Sequence, residues 1–453
     1  MRSTLPRVLH RVAERTLLDA VLDAVSGLGA RQTVVVLGAG REQVAASLAG
    51  RAVETVDGSA PRGEGGAMRR GLEALASGAG PVLVLSGDTP LILPETLARI
   101  VARRADGRFD AVLLSSRPPD PGGSPRVVRD RSGLVRALIE SKNTSARQKA
   151  IGEVGAGIAC FDAKVLARVL GTLREEPESH ESGPSRTVAA LCAAGGRVEA
   201  IVADDWREAC GVHTRRDLAV AEEIERRRAI ERALDAGVTV MDPLTTRIGP
   251  RVALEPDVIL HPFVSLEGST RIAEGCEVFS FTRIADSNLA TRVSVGPHCD
   301  VEGASIGERA RVGPYARLRP GTILEEDVRV GNFVETKEAV LRRGVKALHL
   351  SYLGDVEVGA EANIGAGVIT CNYDGVGKYL TTIETGAFVG SDSQLVAPVT
   401  VGRDAYVGSG TTVTKDVPRG ALAITRVKQV NVEGWADRFR EANAKRKKTG
   451  EEH

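Results

Sequence analysis

Residues Val389 to Pro418 read VGSDSQLVAPVTVGRDAYVGSGTTVTKDVP. Every sixth position is apolar: Val389, Leu395, Val401, Val407 and Val413. Helices repeat near 3.6 residues and strands near 2, so a sustained step of six belongs to neither. It is the period of a parallel β-helix, in which each hexapeptide supplies one short strand and one turn. Three hexapeptides close a triangular coil of about eighteen residues. The step recurs at Val252, Val258 and Val264, and again at Ala310, Ala316, Thr322, Val328, Val334 and Val340.

That interior explains the composition. Aromatic residues make up 3% of the 453 residues while glycines number 50, because the coils take Val, Ile, Leu, Ala and Thr inside and tight corners between. Lys plus Arg (60) nearly balances Asp plus Glu (59), so no net field points to nucleic acid or an anionic membrane. No apolar run approaches the ~20 residues of a membrane span, and no signal peptide is evident. Cysteines 160, 192, 210, 276, 299 and 371 form no CxxC pair. They read as core residues of a reducing compartment, and the chain as soluble and cytoplasmic.

The first half has another grammar. TVVVLGAG (Thr33–Gly40), PVLVLSGD (Pro81–Asp88) and FDAVLLSS (Phe109–Ser116) are short apolar runs ending in Gly, Asp or Ser. Stretches with helical spacing separate them, which predicts a parallel-type α/β sheet with ligands at the carboxyl ends of its strands. The charged run Arg215–Ala233 reads as a solvated helix joining the halves.

Two stretches break the six-residue rhythm, Lys346–Asp355 (KALHLSYLGD) and Cys371–Thr385 (CNYDGVGKYLTTIET). Both are predicted to project as loops, where function concentrates. Arg319 and Lys337 are eighteen residues apart, so they should stack at one corner about 5 Å apart. Like charges held that close call for an anion between them, or else splay into water. Lys378 adds a third cation, and together they suggest a phosphate-bearing substrate. His349, in the first break and near Tyr352, is a candidate base for an amine nucleophile. Ser391 and Ser409 form a second stacked pair, and Arg426 is placed to meet a further anion. His261, His298 and His349 share no register, which argues against a histidine metal site.

The segment from Arg317 to Arg426 carries LRPGT, VGNFVETK, HLSYLGD, NIGAGVITCNYDG, GKY, FVGSDSQLVAPVTVG and ITRV. In these motifs it closely resembles the acetyltransferase half of the bifunctional enzymes of UDP-N-acetylglucosamine synthesis, the GlmU family. The resemblance implies a left-handed parallel β-helix that transfers acetyl from acetyl-CoA to glucosamine 1-phosphate. Arg319, Lys337, Tyr352, Asn363 and Lys378 would hold the sugar phosphate, with His349 as general base. Ala366, Asn372, Tyr373, Ser391, Ser409 and Arg426 would line the acetyl-CoA site. Ser409 departs from a common family alanine, a small change that should be tolerated. The family is trimeric and shares its acetyl-CoA pocket between neighbouring β-helices, so a homotrimer is expected. The implied domains are a Rossmann-like nucleotidyltransferase-like domain over 1–226 and a linker helix and connector over 227–246. The β-helix follows over 247–432, then a charged tail over 433–453 that frays beyond Trp435.

The resemblance extends through the first half, but patchily. There the family makes UDP-N-acetylglucosamine from UTP and N-acetylglucosamine 1-phosphate, using a motif L-A-A-G-x-G-T-R-M whose glycine-rich turn lets backbone N–H groups reach phosphates. The chain opens MRSTLPRVLH, matching from that motif's last methionine onward. Arg7 stands for a lysine, Glu64 for a uracil-contacting threonine, Pro125 for a glycine and Gly155 for a sugar-site asparagine. His213 replaces the asparagine that shares Mg²⁺ with an aspartate, and imidazole suits transition metals better than Mg²⁺. That aspartate survives as Asp88, the candidate metal ligand, and Glu140 survives too. Arg7, Asp88 and Glu140 thus read as remnants of a nucleotide site, and Mg²⁺ and UTP are expected only if this half is active. The substitutions predict that uridylyl transfer is lost while the fold persists. Two alternatives differ testably: a fully bifunctional enzyme, and a non-catalytic binding or regulatory homologue.

Overall fold

The computed structural model describes the chain except residues 59–63, 77–79, 141–142, 174–182 and 450–453. It divides into two compact units, Met1–Arg232 and Ala233–His453.

The first unit is built on a six-stranded sheet. Strand Ala111–Ser116 is buried at every position and pairs in parallel with Val198–Val202. On its other edge it meets Val154–Phe161, which runs antiparallel to it and also antiparallel to Val82–Val84. The sheet is therefore mixed, a correction to the parallel sheet expected. Hydrophobic runs buried on both faces read alike in either direction, so the sequence pattern did not show the reversed strand. Val34–Leu37 and Glu54–Asp57 form a separate parallel pair. Helix Leu17–Ser26 starts at Thr16, whose hydroxyl accepts from the Asp19 N–H at 3.0 Å, and it buries Leu17, Leu18, Val21 and Leu22. Helix Arg215–Asp235 is less solvated than its charges suggest: Ala221 and Ile224 pack with Val12, Leu17, Leu91 and Val212.

The second unit is a left-handed parallel β-helix, and its first strand, Thr239–Val240, already lies within the 227–246 connector. Two inward positions per hexapeptide fill the core, as with Ala387 and Val389, Ser393 and Leu395, or Ala405 and Val407. Several inward hydroxyls are satisfied locally: those of Thr270, Thr322 and Ser393 donate to the carbonyls of Glu267, Arg319 and Gly390 at 2.6, 2.7 and 2.7 Å, whereas those of Thr381 and Thr411 are buried without a partner. Such pairing avoids a desolvation cost of about 1–3 kcal/mol each.

The coils are not all eighteen residues long. Ser265 pairs with Arg283 eighteen residues on, but Arg283 pairs with Asp300 after seventeen. A seventeen-residue step also joins Arg329–Leu341 to Lys346–Val358, two long strands that bend through the corners without interruption. The expected loop at Lys346–Asp355 is therefore absent. Its rhythm breaks because one residue is dropped, and Ala339 rather than Val340 points inward. The second break is real. Val356 pairs with Thr381, so this coil carries extra residues that fold into a hairpin bridged at Tyr373 and Lys378. Asp374 forms its turn, accepting from the N–H groups of Val376 and Gly377 at 2.8 and 2.7 Å.

The tail is also more ordered than expected. Trp435–Thr449 is a helix in which Trp435 and Phe439, one turn apart, stack at 4.9 Å.

Candidate active site

Leu318 pairs with Thr336, so Arg319 and Lys337 stack at one corner of consecutive coils. The Cys371–Thr381 hairpin delivers Lys378 to the same corner. Its pKa is lowered by the close approach of the Lys337 ammonium and by the charge of Arg319, with Asp355 opposing. Glu335 holds Arg319 at 2.9 Å, leaving Lys337 and Lys378 as adjacent cations. Tyr352 pairs in register with Glu335 and leans over Gly354, where a Cβ would collide with its ring. Asn372 is buried and its amide contacts Asp355, which anchors the hairpin.

The neighbouring corner carries His349. It pairs in register with Asn332, and its Nδ1 lies 3.1 Å from Asn332 Oδ1. Lys346 pairs with Asn363, so the same register continues His349 onto Ala366. Asn363 in turn pairs with Phe388 and Phe388 with Tyr406, which extends the column to Ser391 and Ser409. Asn332, His349, Ala366, Ser391 and Ser409 thus stand one above another along a single edge. Arg426 closes the column's upper end: a Cβ on Gly408 would meet its Nη2 at 2.8 Å. Tyr373 sits in the hairpin, with its hydroxyl donating to the Gly375 carbonyl at 2.6 Å. Asn363 lies on the face before the His349 corner, away from the Arg319–Lys337 corner with which the sequence grouped it.

Two groups escaped sequence reasoning. Asn332 lies seventeen residues before His349, and an eighteen-residue step points instead to Gly331. Glu335 was visible in VGNFVETK, but nothing there tied it to Arg319.

In the first unit, Asp88 follows strand Val82–Val84 and is 5% exposed. Its Oδ1 accepts from the Ser86 hydroxyl at 2.6 Å, while its Oδ2 faces Arg7 Nε at 3.3 Å and His213 Nδ1 at 3.5 Å. Burial pushes the Asp88 pKa up, but the neighbouring His213, the Ser86 hydroxyl and the charge of Arg7 outweigh it, and the net shift is down. Asp88 pulls the His213 pKa up, yet Arg7 Nη1 stands only 2.7 Å from His213 Nδ1. Because a guanidinium only donates, the shorter contact favours Nδ1 as acceptor. A guanidinium and an imidazole against the Asp88 carboxylate do not fit Mg²⁺, which wants hard oxygen donors. Glu140 follows strand Val135–Ile139, its carbonyl accepting from the Asn143 N–H at 2.8 Å. Gly155 donates its N–H to the Pro125 carbonyl at 2.9 Å. Residues 61–63 and the Glu64 side chain lie outside the described residues.

Residues 1–154 match the model of the MobA-like NTP transferase domain, and residues 380–415 that of the hexapeptide repeat of succinyl-transferase. Similar over nearly its whole length is the bifunctional protein GlmU of Streptomyces coelicolor, 44% identical over 98% of this chain and 93% of that protein. The bifunctional protein GlmU of Pelobacter propionicus is 40% identical over 97% of this chain and 96% of its own length. With both units matched end to end at this identity, the chain belongs to the GlmU family of enzymes.

Proposed function

We propose that this protein transfers the acetyl group of acetyl-CoA to the amine of glucosamine 1-phosphate. The observation that carries the reading is one outer face of the β-helix with His349 at one end and Arg319, Lys337 and Lys378 at the other. A phosphate suits the adjacent Lys337 and Lys378, with Arg319 held beside them by Glu335, and an amine suits a base held one corner away. His349, its Nδ1 against Asn332, takes the amine proton on Nε2 as the amine attacks the thioester carbonyl. The C–N bond forms, the C–S bond breaks, and coenzyme A leaves as a thiolate that is then protonated. Ala366, Ser391 and Ser409, with Asn372, Tyr373 and Arg426, line the acetyl-CoA path, while Tyr352 steadies the sugar.

We infer also that uridylyl transfer by the first unit is lost, on the strength of Arg7 and His213 against Asp88. A bifunctional reading is favoured by the 44% identity to a protein named bifunctional. Two assays on the full chain separate them. Thiol release from acetyl-CoA with glucosamine 1-phosphate is expected, and pyrophosphate release from UTP, Mg²⁺ and N-acetylglucosamine 1-phosphate is not. Pyrophosphate release would establish the bifunctional enzyme. Thiol release that survives His349→Ala would sink the assignment of the base.

The assembly we infer is a homotrimer. Phe263, Phe281, His298, Tyr315 and Phe333 stack at 4.8, 4.9, 4.7 and 5.4 Å along one exposed edge, an apolar ladder that identical β-helices match rung for rung. Sedimentation equilibrium reading a monomer at working concentration would refute it. The setting we infer is the cytoplasm. The six cysteines are free, as suits a reducing compartment, and no described helix is long and apolar enough to cross a membrane.

A further inference from the structure

The first unit buries a carboxylate whose partners conflict with the role its position suggests. Oδ2 of Asp88 already faces Arg7 Nε at 3.3 Å and His213 Nδ1 at 3.5 Å, and Oδ1 is taken by the Ser86 hydroxyl at 2.6 Å. A divalent cation on Oδ2 would stand against a guanidinium that is charged at every working pH, so binding would first require Arg7 to leave. The place of Arg7 beside Asp88 is set by the elements that carry the two residues and by His213, which accepts from Arg7 Nη1 at 2.7 Å. Arg7 opens a 3₁₀ turn over Arg7–Leu9, Asp88 follows a sheet strand, and His213 precedes helix Arg215–Asp235. The Val212 N–H donates to the Asp88 carbonyl at 2.8 Å. Asp217 accepts from the N–H groups of His213 and Thr214 at 3.0 and 2.8 Å. The His213 ring lies over Gly211, where a Cβ would meet Nε2 at 2.9 Å.

We propose that Asp88 is an internal counter-ion to Arg7, whose guanidinium His213 braces as an acceptor, and that the first unit takes no divalent cation on it. Three segments far apart in sequence are tied together by this one side chain. Charge that a bound metal would bring is brought by the chain itself. The proposal deepens the loss of uridylyl transfer by naming its cause.

A clamp and a metal ligand respond oppositely to Asp88→Asn. Removing the anion of a clamp replaces a buried carboxylate with a neutral amide and takes away the charge that Arg7 faces, so the folded state suffers. Removing a ligand from an empty metal site costs little. The test uses the full chain, thermal melting, and Mn²⁺ alone as the probe, followed by its electron paramagnetic resonance signal. Asp88→Asn is expected to lower Tm by several degrees and to leave Mn²⁺ binding unchanged. Arg7→Lys/His213→Asn is expected to gain a Mn²⁺ site that a further Asp88→Asn removes.

An unchanged Tm in Asp88→Asn overturns the clamp, as does wild-type Mn²⁺ binding that Asp88→Asn abolishes. A folded Arg7→Lys/His213→Asn chain that gains no Mn²⁺ site overturns the claim that the clamp is what excludes metal. Should that double variant not fold, the wild type and Asp88→Asn decide by themselves. Pyrophosphate release that Asp88→Asn leaves intact would remove the loss of uridylyl transfer and leave the clamp standing.

Discussion

Nδ1 of His349 lies 3.1 Å from Oδ1 of Asn332, its in-register neighbour one coil away. With the carboxamide oxygen as acceptor, Nδ1 carries the proton and the Nε2 lone pair is free to serve as base. Asn332→Leu removes that orientation. The expected result is a fall in kcat for acetyl transfer of about 10-fold to 100-fold, with KM for acetyl-CoA little changed. Asn332→Asp puts a carboxylate at the same distance, favours the imidazolium, and moves the acid limb of the pH–rate profile to higher pH. A variant Asn332→Leu with wild-type kcat would show that the contact does not position the base.

The same pair of strands tolerates no added bulk. A Cβ on Gly331 would run into the backbone of Leu348, whose carbonyl carbon would stand 2.5 Å away. The strands are hydrogen-bonded along their length and cannot part locally. Gly331→Ala is therefore expected to cost about 1–3 kcal/mol, read as a lower urea midpoint, and to lower kcat by shifting Asn332 against His349. Full stability and full activity in Gly331→Ala would mean that the coils slide freely.

These two residues also mark where the sequence stopped being readable. The six-residue step located the β-helix and its core because inward Val and Leu repeat regardless of detail. It misplaced the inward residue at Val340, since a dropped residue hands the position to Ala339. It turned the continuous strand Lys346–Val358 into a loop for the same reason. Arg319 and Lys337 were legible because their coil keeps eighteen residues; Asn332 was not, because its coil has seventeen. In the first unit Arg7, Asp88 and His213 were each noticed, but their meeting depends on tertiary contacts between segments that no local pattern connects.

The column above His349 supports a graded prediction for acetyl-CoA. Ser409 is exposed and Arg426 packs on Gly408 beside it. Ser409→Ala removes one hydroxyl at a solvated position and should leave KM for acetyl-CoA within about twofold, the behaviour of a surface hydrogen bond that water replaces. Arg426→Ala removes a charge suited to a cofactor phosphate, and KM should rise about 10-fold at low salt, less at high salt. Initial rates at several ionic strengths check both. A larger effect from Ser409→Ala than from Arg426→Ala would reverse the assignment of the cofactor's anionic end.

Lys378 gives the pH dependence its sign. The Lys337 ammonium beside it, with Arg319, pulls its pKa down. A bound phosphate dianion favours the protonated form and pushes it back up. Between the lowered pKa and the ordinary lysine value, the free protein has lost part of that proton, and binding takes it up again. KM for glucosamine 1-phosphate should therefore rise with pH through that window, and calorimetry in two buffers of different ionisation enthalpy should record proton uptake. Stability without ligand runs the other way. A lysine whose folded pKa lies below its unfolded value makes the unfolded state bind more protons there, so stability rises with pH across the same window. Lys378→Met should abolish the proton uptake and raise KM for glucosamine 1-phosphate about 10-fold. Uptake that persists in Lys378→Met would assign the titrating group elsewhere and detach Lys378 from the phosphate.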